Sequence, residues 1–301
     1  MLFERSLVAI ALLLVSQFSS AEIVVQDAAG QTVRLTAPAR RIVSLAPHIT
    51  ENLYAAGAGS FIVGAVDYSD YPEAAKKLPR VGGYARLDLE AILALKPDLV
   101  IAWDSGNQAG QLAKLKALGL TLFISRPQKI DDIATDIARF GELAGTTAIA
   151  LPEARAIRVR VAELRARYAS RPPVRTFYQI WNQPLVTVNG EQLISDVMRL
   201  CGADNVFAGL SQLAPTVSVE AVLAADPEAI VASGMNATRP EWLDMWKRWR
   251  DLMAVSRGNL FFIPPDLINR PTPRILDGAQ RLCAQMETVR DRRPGTKDGK
   301  P

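Results

Sequence analysis

The feature that most constrains this 301-residue chain is a stretch that occurs twice. Residues 89–103 read LEAILALKPDLVIAW and residues 219–233 read VEAVLAADPEAIVAS, aligning without a gap at an offset of 130. Glu90 matches Glu220, Ala91 matches Ala221, Leu93 matches Leu223, and Pro97 matches Pro227. Each copy reads as a short helix, a proline that stops it, and an apolar run suited to a strand buried on both faces. Two copies imply two similar lobes, and a cleft between lobes is a usual home for a small-molecule site.

The surrounding pattern supports this. Residues 22–35 read as a hairpin. Strands are expected at 41–45, 61–66, 99–103 and 120–124, and helices at 50–56 (with Thr50 as N-cap), 89–95, 111–118 and 130–143. Residues 152–168 form one long helical pattern with no strand. Strands then return at 176–180, 229–232 and 260–263, with helices at 193–200, 219–225, 242–253 and 274–289. Alternation of this kind predicts an α/β fold: two lobes, each a mostly parallel sheet covered by helices, joined by a single long backbone helix. The expected organisation is a signal peptide (1–21), a first lobe (22–148), the connecting helix (149–171), a second lobe (172–290) and a disordered tail (291–301).

Residues 1–21 carry an export pattern. Arg5 precedes the nine-residue apolar run 7–15, and Ser19-Ser20-Ala21 offers small residues for cleavage after Ala21. The run is shorter than the roughly 20 residues needed to span a bilayer. The expected compartment is therefore a Gram-negative periplasm. The chain has two cysteines, Cys201 and Cys283. In an oxidising space an even count suggests a disulfide, closing a loop of about 80 residues and worth up to about 4–5 kcal/mol. Two inert buried thiols are the other reading.

Composition excludes several classes. The net charge of +4 is scattered without a basic stripe, so no nucleic-acid partner is expected. The single histidine, His48, is too few for a multi-His metal site and reads best as a partly buried ring near a turn. Ser44, His48 and Asp70 can be imagined as a hydrolase triad, but no G-x-S-x-G elbow accompanies them. A periplasmic serine hydrolase thus stays a remote alternative, and no enzyme activity is expected. Glu90 and Glu220 fall in the first turn of their helices. They either complement the helix dipole or form a pair of surface anions, one per lobe, facing one partner.

Residues 41–51 (RIVSLAPHITE), 67–72 (DYSDYP), 81–83, 89–103 and Cys201-Gly202 with Asn205 and Phe207 resemble the substrate-binding proteins of bacterial ABC importers. The type is the one whose two lobes are joined by one helix and which handles cobalamin, haem and siderophores. The resemblance covers residues 40–288 and is strongest to the cobalamin-binding members. It implies a non-catalytic, monomeric protein that carries cobalamin as a transported ligand, with no cofactor, to a membrane permease. It implies ligand contacts for Tyr68, Tyr84, Trp103, Asp266 and Arg270, permease docking for Glu90 and Glu220, and a Cys201–Cys283 disulfide. Three departures stand out: Tyr84 and Ala214 stand where those members have tryptophans, and Leu267-Ile268 replaces an aromatic pair. Trp181 is the candidate to compensate. Haem or a ferric siderophore is the alternative ligand. Haem would call on Tyr68 or His48 as axial ligand, and a siderophore on Arg86, Arg270 and Arg274. The single long helix predicts modest lobe motion.

Overall fold

The computed structural model describes residues 22–294 apart from 169 and 235–236. The expected signal peptide and the end of the expected tail lie outside the described residues. In the first lobe, β1 (Ile23–Gln26) and β2 (Thr32–Leu35) make the antiparallel hairpin. There follow β3 (Ile42–Ser44), α1 (Pro47–Ala55), β4 (Ile62–Ala65), the small pair β5 (Gly82–Gly83) and β6 (Arg86–Leu87), and α2 (Leu89–Ala94). The lobe closes with β7 (Leu99–Trp103), α3 (Ala109–Ala117), β8 (Leu122–Ser125) and α4 (Ile130–Ala144). Helix α5 (Thr147–Tyr168) then leads to the second lobe. That lobe holds β9 (Val174–Gln179), the pair β10 (Trp181–Asn182) and β11 (Leu185–Val186), α6 (Leu193–Leu200), β12 (Ala203–Asn205) and α7 (Val219–Ala225). It ends with β13 (Ala229–Ala232), α8 (Met253–Ser256), β14 (Leu260–Phe262) and α9 (Ile275–Asp291).

The main sheets run β4-β3-β7-β8 and β12-β9-β13-β14, and every pairing is parallel. The repeated segment supplies the third strand of each. Its helices are capped at equivalent points too: the Asp88 carboxylate accepts from the Ala91 amide (2.9 Å) and the Ser218 hydroxyl from the Ala221 amide (3.2 Å).

One apolar core runs through both lobes. Ile42, Leu53, Ile101 and Phe140 of the first lobe and Met198, Leu276 and Leu282 of the second belong to the same buried cluster. Ala150, Ala154, Ile157 and Val161 of α5 join them at helical spacing. The far face of each sheet has its own smaller core. The cysteines form the Cys201–Cys283 disulfide, pinning the end of α6 to α9.

Several expectations needed correction. Helix α1 starts at Pro47, which suits a first helical position because its missing N–H would be unpaired there anyway. Thr50 is therefore inside the helix, hydrogen-bonded to Ser44 Oγ (2.8 Å) and Ser69 Oγ (3.1 Å), rather than capping it. Helix α5 begins at Thr147, ahead of the proposed 149–171 span, and carries Pro152 inside it. The expected helix at 242–253 is a 3-10 turn over Glu241–Arg248 followed by short α8. Its anchors Leu243 and Trp246 are buried three residues apart, which suits three residues per turn. The start of the expected tail is ordered: Asp291 closes α9, Arg292 Nη1 donates to the Gly258 carbonyl (2.8 Å), and Arg293 Nη2 donates to Glu228 (2.8 Å).

Candidate functional site

In the first lobe the C-terminal ends of β7 and β8 face the gap between the lobes, where ligands of open parallel sheets bind. Trp103 at the end of β7 with Asp104 after it, Arg126 just past β8, and Asn269 and Pro271 of the segment leading into α9 line one recess of about 120 Å³. Both lobes contribute to its wall.

The first lobe brings aromatic rings. Trp103 ends β7, and Tyr84 lies 5.9 Å from it, centroid to centroid. The backbones of both are clamped by buried Asn107. Its Oδ1 accepts from the Trp103 amide (2.7 Å), and its Nδ2 donates to the carbonyls of Tyr84 (2.7 Å) and Leu45 (2.9 Å). Gly106 is required here, because a Cβ would lie 1.9 Å from the Trp103 ring. Edge-on to Trp103 sits His48, with centroids 5.1 Å apart. Burial above all, with help from the Arg270 charge, lowers the His48 pKa to about 3, so the imidazole stays neutral. Its Nε2 is buried and has no hydrogen-bond partner among the described residues. Tyr68 is 73% exposed and holds a left-handed backbone (φ 63°) that costs a tyrosine about 1 kcal/mol or more. Arg80 steadies its loop by donating to the carbonyls of Val66 (3.2 Å) and Ser69 (3.1 Å).

The second lobe brings charge. Arg270 Nε meets Asp266 (3.3 Å), so these two sequence-picked residues stand together. Arg270 Nη1 also donates to Asp70 of the first lobe (2.6 Å). Partial burial pulls the Asp70 carboxyl upward, but the Arg270 hydrogen bond and charge outweigh it and hold it below the usual carboxylate range. Trp181, 36% exposed on the β10–β11 hairpin, donates from Nε1 to the Gln183 carbonyl (3.0 Å) and does not line the recess. Ala214 is exposed; Ile268 is buried and Leu267 packs on the core.

Deeper contacts tie the lobes. Arg274 Nε and Nη2 donate to the two oxygens of buried Glu51, each at 2.7 Å, and the guanidinium stacks 4.1 Å from the Tyr71 ring centre. Asn52 Nδ2 donates to the Pro271 carbonyl (3.0 Å), and Asp196 accepts from the Ile130 amide (3.0 Å). Glu90 and Glu220 sit apart from the recess, exposed on the first turns of α2 and α7. The residues of the imagined triad are otherwise engaged: Ser44 Oγ donates to the Ala46 carbonyl (3.1 Å), and Asp70 is paired with Arg270. Among the described residues no helix is long and apolar enough to cross a membrane.

Sequence reasoning met Asp70 only as a member of the imagined triad, not as a partner of Arg270, and missed the Arg126–Asp104 pair (2.7 Å) and Asn107. The DYSDYP and DSGNQ loops carried signals for Asp70 and Asn107, polar residues next to aromatic ones. Nothing local foretold Arg126.

Two parallel-sheet lobes on a single helical spine, with a recess between them lined by both and by Trp103, define a bilobal substrate-binding protein of the helical-backbone type. Matching across residues 42–267 confirms it, and the chain belongs to the periplasmic binding protein family. The chain is similar to the vitamin B12-binding protein of Vibrio vulnificus, at 38% identity over 258 residues, covering 85% of this chain and 93% of that one. The vitamin B12-binding protein of Yersinia pestis is 42% identical over 258 residues (85% and 90% covered). Among solved structures, the periplasmic vitamin B12 binding protein BtuF of Vibrio cholerae superposes with a TM-score of 0.79 at 39% identity, covering 84% of this chain and 98% of that one.

Proposed function

We propose that this chain captures cobalamin in the inter-lobe cleft and delivers it to the membrane permease of an ABC importer. The observation that carries the reading is a first lobe that brings the Tyr84–Trp103 rings and a second that brings the Arg270–Asp266 pair, with Arg270 reaching across to Asp70 of the first. A corrin is a broad flat ring with an amide-bearing rim. Aromatic faces suit the ring, a carboxylate accepts from amide N–H and a guanidinium donates to amide C=O. Tyr68 and Trp181 extend the aromatic surface at the rim. Relatives named for vitamin B12 binding support the same ligand. Capture needs no covalent step and no cofactor.

Glu90 and Glu220, one on each lobe at equivalent points of the repeat, are the docking carboxylates for arginines of a two-fold permease, and the receptor acts as a monomer. Such rim pairs are worth about 0–1 kcal/mol each and serve mainly to orient the complex. Export through residues 1–21, with cleavage after Ala21, places the protein in the periplasm; the mass of the mature chain tests the cut.

Calorimetric titration with cyanocobalamin and cobinamide tests the ligand. One saturable site is expected. A flat trace for both overturns cobalamin and leaves the importer role standing. Haem fits less well, since His48 Nε2 is buried and leaves Tyr68 to serve as axial ligand. A visible spectrum after incubation with haemin and desalting compares the two. An anionic siderophore needs converging arginines, and Arg274 is bound to Glu51.

A further inference from the structure

The arginines at this gap are already held. Arg270 is bracketed by Asp266 of its own segment (3.3 Å) and by Asp70 of the opposite lobe (2.6 Å). Arg126 meets Asp104 (2.7 Å), and Arg274 meets Glu51 (2.7 Å). Glu191 adds one more carboxylate to the recess wall. Around the gap, the five carboxylates Glu51, Asp70, Asp104, Glu191 and Asp266 thus outnumber the three guanidiniums Arg126, Arg270 and Arg274. Among the described residues no acceptor meets Arg270 Nη2, so its hydrogens remain for a ligand carbonyl.

We propose that Asp70 is a specificity-determining residue: by holding Arg270 from across the cleft, it makes the site select amide-rimmed, neutral rings and reject carboxylate-bearing ones. This deepens the cobalamin reading and rests on it. A side-chain amide both donates and accepts, so it can give its N–H to Asp70 or Asp266 and its C=O to Arg270. A carboxylate of the same shape has no N–H to give. It also has to compete with Asp70 for Arg270 and approach a surplus of negative charge. A site built around a donor rejects an analogue lacking it far more strongly than an apolar pocket rejects a misfit in size. The same filter works against any ring decorated with acids, haem propionates included.

Asp70 acts on the ligand through Arg270 as well as directly, so the test reads a ratio between two ligands, which a general loss of structure leaves unchanged. Cobinamide, whose rim is amidated, and cobyrinic acid, whose side chains are all carboxylates, are titrated by tryptophan fluorescence into the wild type, Asp70→Asn and Asp70→Glu, at low and high salt. The wild type is expected to prefer cobinamide by about 100-fold or more. Asp70→Asn should shrink that preference at least about tenfold by improving cobyrinic acid binding, and should flatten its salt dependence. Asp70→Glu should restore it. If Asp70→Asn does not fold by circular dichroism, Asp266→Asn takes its place with the same expected direction. A ratio unchanged in the Asn variant overturns the inference, as does a wild type that binds both rings equally; in either case the cobalamin reading stands. A wild type that binds neither these two nor cyanocobalamin removes both.

Discussion

The two lobes share a strand order, an equivalent helix cap and a repeated helix–strand unit, yet they meet each other with different chemistry. The first lobe ends β7 in Trp103 and backs it with Tyr84 and His48. At the matching place in the repeat the second lobe has Ser233, and its contribution comes later, from Asp266 and Arg270. The repeat retains what packing and turns demand, namely buried Ile101 and Val231, buried Ala102 and Ala232, and the stopping prolines. Residues just past the strand ends are free of that demand, and there the lobes have diverged into an aromatic wall and a charged one. They are also stabilised differently: the second has a disulfide, while the first leans on α4, α5 and the shared core.

Removing the disulfide should break this comparison most. Cys201 and Cys283 are 82 residues apart, so Cys201→Ser with Cys283→Ser should cost about 4–5 kcal/mol in the chain-entropy model. Denaturant unfolding followed by the second lobe's tryptophans should shift with it. Next, Glu51→Gln leaves Arg274 uncompensated at the lobe junction, and should cost about 3 kcal/mol and lower the Tm of the whole chain. If only one lobe melts early, the junction is not a shared support.

The first lobe also contains a buried liability. Burial pushes the Asp136 carboxyl up to about 6, against the opposing Ser125 hydrogen bond (2.5 Å) and the charge of Arg139. The folded state therefore favours the protonated form. Its stabilising contribution is complete below the ordinary pKa of 3.8 and is lost as pH rises through about 6. Asp136→Asn should be about 2 kcal/mol more stable than wild type at pH 8, with the gap closing below pH 4, as read from pH-dependent melting. A constant gap across pH contradicts this.

Of the two walls, the aromatic one should matter more for affinity. Trp103→Ala should weaken cyanocobalamin binding by about 2 kcal/mol, and Trp181→Ala, at the rim, by about 1 kcal/mol. Equal losses would place Trp181 deeper in the site than its exposure indicates. Smallest of all, Glu90→Gln and Glu220→Gln should leave cobalamin affinity unchanged and weaken permease docking by about 0–1 kcal/mol each, measured on permease in liposomes.

Much of this was legible in sequence. The repeat located α2, β7, α7 and β13 within a residue or two, because periodicity and a proline stop are local signals. Strand β12 escaped notice, since Ala203–Asn205 is three residues long and shows no pattern of its own. The 3-10 turn at Glu241–Arg248 was hidden because its Leu and Trp spacing fits an α-helix nearly as well. In the site, the rings and the Asp266–Arg270 pair came from the family resemblance rather than from any local pattern, and the fold sets Asp266 and Arg270 3.3 Å apart. Asp70 lies 200 residues from Arg270, and only the folding of one lobe against the other brings them together.

The Glu51–Arg274 contact and the core that threads α5 tie the halves together, as the expectation of modest lobe motion requires. On the proposed docking role, Glu90 and Glu220 carried on such a frame would keep one spacing whether the receptor is full or empty. A permease gripping them would then learn nothing about cargo from the grip itself. It would have to feel for the vitamin directly, with idle receptors queuing at the gate beside laden ones.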